Sequence, residues 1–301
     1  MFSFTSAKAL FCTFTNNPAT ANNVLGGTLI NQSDADVLNI EQWDFLEATK
    51  TTSTVASQQY YGMPYDIDTL KSVVVVIGSQ QYIPQLCPSR DAWNNLNQTV
   101  QYSDQPEWFY VTENTIGLYP APSSSQTNAL KIVYEQKRKD LSIEDYTTGT
   151  ITTATLGQLT IVGSGTSWTS KMAGMWIKIA DANTANTGDG YWYKILSVQS
   201  ATSLTLVSPY GGISISGGSS AYVIGQTSLI PEDFQIIPIY KAAEIYYTAI
   251  QPDSTRAAEF KGLFNEGLGK MRRALDNKVS SPVIDFGATP TINNPNLFIR
   301  F

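Results

Sequence analysis

The side chains best suited to chemistry in this sequence are carboxylates in close pairs: Asp34 and Asp36, Asp66 and Asp68, Glu144 and Asp145, Glu232 and Asp233. Two carboxylates across a cleft can hydrolyse a glycosidic bond, one as acid and the other as base or nucleophile. Each pair here falls at an expected helix start or turn, where acids bind backbone N–H groups. The bland reading is therefore preferred. Asp181-Ala-Asn183-Thr-Ala-Asn186-Thr-Gly188-Asp189-Gly190 resembles a calcium loop at first sight. It fails, because Ala185 and Asn186 stand where an oxygen ligand and a glycine are required, and Trp192 replaces the bidentate acid. It reads as a hairpin tip. Gly163-Ser-Gly165 lacks the third glycine of a dinucleotide loop. Gly267-Leu-Gly269-Lys270 has Phe264 where a phosphate loop needs its first glycine, and Met271 follows the lysine. The chain has no histidine, which removes imidazole triads and imidazole metal sites. Cys12 and Cys87 are too few for a zinc site or a disulfide framework and read as small buried hydrophobes. No catalytic, metal or cofactor site is expected, and the chain is not read as an enzyme.

Composition then bounds the partners. With 301 residues the chain can hold one large core or two modest ones. Charged residues are only 15%, whereas aromatics reach 11% with 16 Tyr and 6 Trp, the side chains that protein interfaces favour. The formal net charge of −6 has the wrong sign for gripping nucleic acid, which requires a cationic surface to displace counterions. Lys137-Arg138-Lys139 and Arg272-Arg273 are the only basic clusters and read as solvated ends of elements. No apolar run reaches membrane length, and MFSFTSAKALFCTF shows no secretory pattern.

The elements that would position any site change character along the chain. Residues 17–46 carry a helical pattern, with Pro18 in a first turn and Ser33 capping a second short helix through Val37 and Ile40. From Thr49 to Gln136 the sequence predicts antiparallel strands: Thr49–Thr54 at an edge, Leu70–Ile77 turning at Gly78-Ser79, a Trp108–Thr112/Thr115–Tyr119 hairpin, and Asn128–Gln136. Ser89 caps a short helix over Arg90–Leu96. From about Thr147 to Gln226, Gly, Ser and Thr dominate and short alternating strands recur, as in an inserted small β-barrel or sandwich. Pro231-Glu232-Asp233 should open a helix that Pro238 kinks and Gln251-Pro252-Asp253 ends.

The last helix carries the clearest period. Ala257, Phe260, Phe264, Leu268, Met271 and Leu275 form a core stripe. Ala258, Gly262, Asn265 and Gly269 lie opposite, and they make a candidate contact with a neighbouring subunit because small residues permit close helix approach. The final stretch holds three prolines, and Val283, Ile284, Phe286, Leu297, Phe298, Ile299 and Phe301 could fill a partner's pockets or add to its sheet.

The order of these features resembles the head-to-tail adaptor (connector) proteins of tailed, particularly short-tailed, phages. The carrying segments are ADVLNIEQWDFLEATKTT from Ala35, QQYYGMP at Gln58–Pro64, QPEWFYVTENTIGLYPAP from Gln105, and the helical pair after Leu229. SGTSWTSKMAGMWIKI from Ser164, followed by YKILSVQSATSLTLVSPYGG, is similar to a small β-barrel module of phage neck and tail proteins. The resemblance implies a virion protein of the neck, assembled in the host cytoplasm as a homo-oligomeric, dodecameric ring. It docks on the portal through its C-terminal tail and receives the tail nozzle or tail fibres at its distal part. DNA passes through the lumen without specific binding, and no membrane is involved. The expected fold is α+β: an adaptor body over 1–146, an inserted β-barrel or sandwich over 147–227, a C-terminal helical hairpin over 228–279, and an extended tail over 280–301. The rivals are a tail-spike or receptor-binding protein that stacks Tyr and Trp on host glycans, and a carbohydrate-active enzyme.

Overall fold

A computed structural model describes residues 1–17, 24–99, 101–181 and 187–279. It is a mixed α+β protein whose sheets are antiparallel apart from one short pair, Gln85–Leu86 beside Trp108–Phe109, which runs parallel where the sequence predicts antiparallel strands. Two compact units form, one of Met1–Val37 with the chain from Asp140 onward, the other of Leu38–Lys139. The tail residues from Val283 to Phe301, Pro18, and Asn183 and Asn186 of the expected hairpin tip lie outside the described residues.

In the first unit the chain opens with a helix outside the elements the sequence predicts, α1 (Phe4–Thr15). Ser3 caps it by accepting a hydrogen bond from Ser6 N at 3.2 Å. Phe4, Ala7 and Phe11 recur on one face and are buried, and Asn16 ends the helix in the left-handed region with φ 49°. Helix α2 (Val24–Asn39) is continuous, so Ser33 caps nothing. It lies mid-helix and buried, next to Asp34, which accepts a hydrogen bond from the Ser228 hydroxyl. The core face of α2 includes Leu29, Ile30, Ser33, Asp34 and Val37, so the helical period runs on through Ser33 and one helix stands where two are expected.

Pro231-Glu232-Asp233 opens only a single 3₁₀ turn, Glu232–Phe234. The helix proper is α4 (Ile237–Ile245), with Pro238 in its first turn. Pro238 therefore starts the helix instead of kinking it, because a first-turn residue has no intrahelical acceptor for its N–H. (The intervening α3 belongs to the second unit.) The chain then widens into a π turn, Tyr246–Ile250. Asp253 begins α5 (Ser254–Val279) through Oδ1, which accepts from Thr255 N at 3.1 Å and Arg256 N at 3.0 Å. Helices α1, α2, α4 and α5 bury one cluster, including Phe11, Ile30, Ile239, Ala242, Tyr246, Tyr247 and Phe260.

Between these helices the same unit carries a seven-stranded antiparallel sheet in the order β14-β9-β10-β13-β12-β11-β15. The strands are β9 (Thr150–Ala154), β10 (Thr160–Ser164), β11 (Trp176–Ile179), β12 (Trp192–Ser200), β13 (Ser203–Leu206), β14 (Ile215–Ser220) and β15 (Tyr222–Gly225). Strands β14 and β15 are separated by Ala221 alone yet form opposite edges, so the sheet must curl round until its edges meet. The curl encloses Ile151, Ile161, Trp168, Ile177, Ile195, Leu204, Tyr210 and Ile224 in one core. Trp168 Nε1 donates to the Tyr222 hydroxyl at 2.9 Å, which satisfies the indole inside.

The second unit is two four-stranded sheets with a shared core. One has the order β1-β8-β3-β4 and the other β2-β7-β6-β5. Their strands are β1 (Glu47–Thr54), β2 (Tyr60–Gly62), β3 (Ile67–Ile77), β4 (Gln80–Tyr82), β5 (Gln85–Leu86), β6 (Trp108–Thr112), β7 (Thr115–Tyr119) and β8 (Gln126–Gln136). Val73, Val75, Leu130 and Ile132 from the first face Tyr61, Phe109, Ile116 and Leu118 from the second. The expected edge strand is β1, at the margin of its sheet. Helix α3 (Arg90–Leu96), capped by Ser89, covers the second sheet with Trp93. A Cβ at Gly117 would lie 2.6 Å from Trp93 Cζ2, so the indole sits where only glycine leaves room.

Candidate functional site

Helix α5 packs one face into its own core and leaves the opposite face uncovered among the described residues. Phe260, Phe264, Leu268 and Met271 are buried, while Ala257 and Leu275 are half-buried on the same side. Phe260 stacks on Tyr247 at 5.9 Å between ring centroids with the planes 7° apart, and Phe14 meets it at 5.4 Å. Lys241 Nζ lies 5.3 Å from the Phe264 ring centroid. Gly267, which the sequence reading left unassigned, is on this packed side: a Cβ there would be 2.9 Å from Ile237 Cγ1. The close crossing of α4 and α5 is its cause.

On the other side Ala258, Gly262 and Asn265 are exposed and Gly269 is half-buried. A Cβ built on Gly262 or Gly269 would meet nothing within 4 Å. Neither glycine is required by packing among the described residues. Leu263 adds an exposed apolar side chain to the same helix. Glu266 and Lys270 pair at 2.7 Å across one turn, with Lys270 holding the fully exposed Glu266 carboxyl below the usual carboxylate range.

The acidic pairs resolve into individual structural roles. Asp34 is buried and Asp36 exposed, two positions apart on a helix and so on different sides. Asp66 accepts from the Tyr134 hydroxyl and from Gln136 Nε2, both at 2.9 Å, whereas Asp68 is exposed. Glu232 pairs with the Met1 amino group. Glu144 pairs with Lys8 and accepts from the Thr5 hydroxyl at 2.7 Å; the Lys8 bond holds its carboxyl below the usual range. Beside it, burial pushes the Asp145 carboxyl up, although Ser3 donates to Asp145 Oδ2 at 2.8 Å. Asp189 accepts from the Tyr193 hydroxyl, and burial together with that bond pushes Tyr193 up to about 12. Among the described residues no group of three or more His, Cys, Asp and Glu is placed to hold a metal ion.

Glu144 and Asp145 belong to a junction that sequence reading missed. The chain enters the curled sheet through residues 140–146 and leaves it at Gln226. Gln226 ties the two passages: Oε1 accepts from Ser142 N at 2.8 Å and Ile143 N at 3.0 Å, and Nε2 donates to Asp140 O at 3.0 Å. Its carbonyl accepts from Phe4 N at 2.8 Å, so the first turn of α1 is part of the same junction. Gly225 fits there because a Cβ would lie 2.7 Å from Ser3 Cβ. A lone glutamine between two unpatterned segments gives no sequence signal.

Residues 5–159, half of the chain, match the family described as SU10 adaptor protein. The chain belongs to that family of phage head-to-tail adaptor proteins and is a component of a virion. No curated protein matches it. No helix among the described residues is long and apolar enough to cross a membrane.

Proposed function

We propose that copies of this chain close into a homo-oligomeric ring, dodecameric as in the adaptors it resembles. In this reading the ring sits in the neck between capsid and tail and docks on the portal, and the genome passes through its lumen. The membership in the adaptor family carries the reading. Helix α5 supports it: one side is packed on α4, while Ala258, Gly262, Asn265 and Gly269 present an uncovered surface for the next subunit. The C-terminal hairpin of α4 and α5, with α1 and α2, forms the helical core of the body, and the curled sheet over 147–227 is an insertion facing the tail nozzle or fibres. Val283, Ile284, Phe286, Leu297, Phe298, Ile299 and Phe301 bind the portal. The net charge of −6 suits a lumen that DNA must cross without sticking. Particles assemble in the host cytoplasm, and no chemistry is performed.

The test is native mass spectrometry of the purified chain. A closed oligomer of defined stoichiometry is expected. A chain that remains monomeric at all concentrations, with portal absent or present, contradicts the reading.

A further inference from the structure

Among the described residues the sheet β1-β8-β3-β4 ends in two open edges. Strand β1, EATKTTST, is eight residues long, mostly exposed and free of proline, and its one register shift is confined to Thr52–Thr54. Among the described residues its pairing is with β8 alone. Half of the backbone N–H and C=O groups of such a strand point away from its partner, a template for another strand. The side chains offer little to bury, as four are threonine, one serine and one lysine. A partner here would be held by main-chain hydrogen bonds.

All three pairings in this sheet are antiparallel. With four alternating strands, the two edge strands run in opposite directions. The β4 edge of one copy therefore meets the β1 edge of another with antiparallel polarity. The two edges also lie on opposite sides of the sheet and differ in sequence, which is the head-to-tail geometry a rotational ring requires.

We propose that β1 of one subunit pairs antiparallel with β4 of the next, joining their sheets around the ring. This rests on the ring reading of the preceding section. The register follows from the sheet itself. Thr52 pairs with Leu130, Leu130 with Val75, and Val75 with Tyr82. Joining without stagger therefore sets Tyr82 opposite Thr52 of the neighbour, and Gln81 opposite Ser53. Ser53 and Gln81 are both exposed, on the side away from the core.

Disulfide trapping tests this on the full chain. Ser53→Cys and Gln81→Cys are made separately, mixed, and oxidised. Directly opposite residues of paired strands have Cα atoms about 4.5–5.5 Å apart, within the span a disulfide bridges. Cys12 and Cys87 are buried and do not compete. The expected result is a dimer containing one chain of each type, and a ladder of linked oligomers from the doubly substituted chain. Ser53→Cys gives up the bond that the serine hydroxyl accepts from Asn128 N at 3.1 Å. Native mass spectrometry before oxidation therefore reports ring closure separately for each variant and for the parent. Rings without mixed dimers overturn the pairing and leave the ring standing, whereas a lasting monomer of variants and parent alike overturns both. Ser53→Cys homodimers in place of mixed dimers assign the edge to a two-fold contact. Linkage of Ser53→Cys to a chain carrying Ile284→Cys assigns it to the tail. Either result overturns the proposal.

Discussion

Gly267 of α5 lies against Ile237 of α4 so closely that a Cβ on the glycine would be 2.9 Å from Ile237 Cγ1. Two positions further along the same helix, a Cβ on Gly269 would meet nothing within 4 Å. One glycine exists because a neighbouring helix crosses there; the other has no such reason among the described residues.

That contrast predicts opposite responses to alanine. Gly262→Ala and Gly269→Ala should each stabilise the isolated subunit by about 0.5–1 kcal/mol, the helix-interior cost of glycine. Gly267→Ala forces a buried isoleucine aside and should be net destabilising, since overpacking costs about 1–3 kcal/mol against that gain. Urea unfolding of monomer measures all three.

Larger residues separate folding from assembly. Gly262→Leu or Gly269→Leu should leave the monomer's unfolding midpoint near that of the parent while abolishing the oligomer. Unchanged oligomers by native mass spectrometry would remove α5 from the subunit contact.

Gln226 should matter more than its single side chain suggests. Gln226→Ala leaves the Ser142 and Ile143 amides and the Asp140 carbonyl without their side-chain partner. Asp140, Ser142 and Ile143 are exposed, so water can take up part of what is lost, and each hydrogen bond removed should cost about 0.5–1.5 kcal/mol. Lower stability is expected, with faster hydrogen exchange at residues 142 and 143. Exchange at those amides equal to the parent's would contradict the junction as described.

Adjacent carboxyls at this junction should respond to pH in opposite senses. Glu144 has its folded-state pKa lowered, so its stabilisation is present above the unfolded value and is lost as pH falls through the folded one. Asp145 has its folded-state pKa raised, so it favours the folded state at low pH and opposes it once pH exceeds that raised value. Glu144→Gln should therefore destabilise at neutral pH and converge on the parent in acid. Asp145→Asn should stabilise at neutral pH, and that gain should shrink in acid. Thermal unfolding from pH 3 to 7, an interval of roughly one unit below to three above ordinary carboxylate pKa values, reads both.

Much of the second unit could be read from sequence because its signals are local. The Trp108–Thr112 and Thr115–Tyr119 strands and the Ser89-capped helix depend on alternation, turn residues and a cap within a few positions. Other features depended on contacts distant in sequence. The face of α2 contains Ser33 and Asp34, and the buried carboxylate of Asp34 finds a partner in Ser228, almost two hundred residues on. Pro238 reads as a kink only if the helix starts at Pro231, whereas it begins at Ile237. The open side of α5 could be drawn on a wheel, whereas Gly267 could be assigned only once Ile237 was known to lie beside it.

Deleting the residues after Ser280 should leave the ring-forming body folded and remove portal binding. Normal docking by the truncated chain would assign portal contact to another surface.

The central claim is tested most directly by electron microscopy of the purified full chain mixed with portal. The account predicts a closed ring of this chain stacked coaxially on the portal, with an open lumen. Single subunits bound around an otherwise bare portal, or no complex at all, would contradict it.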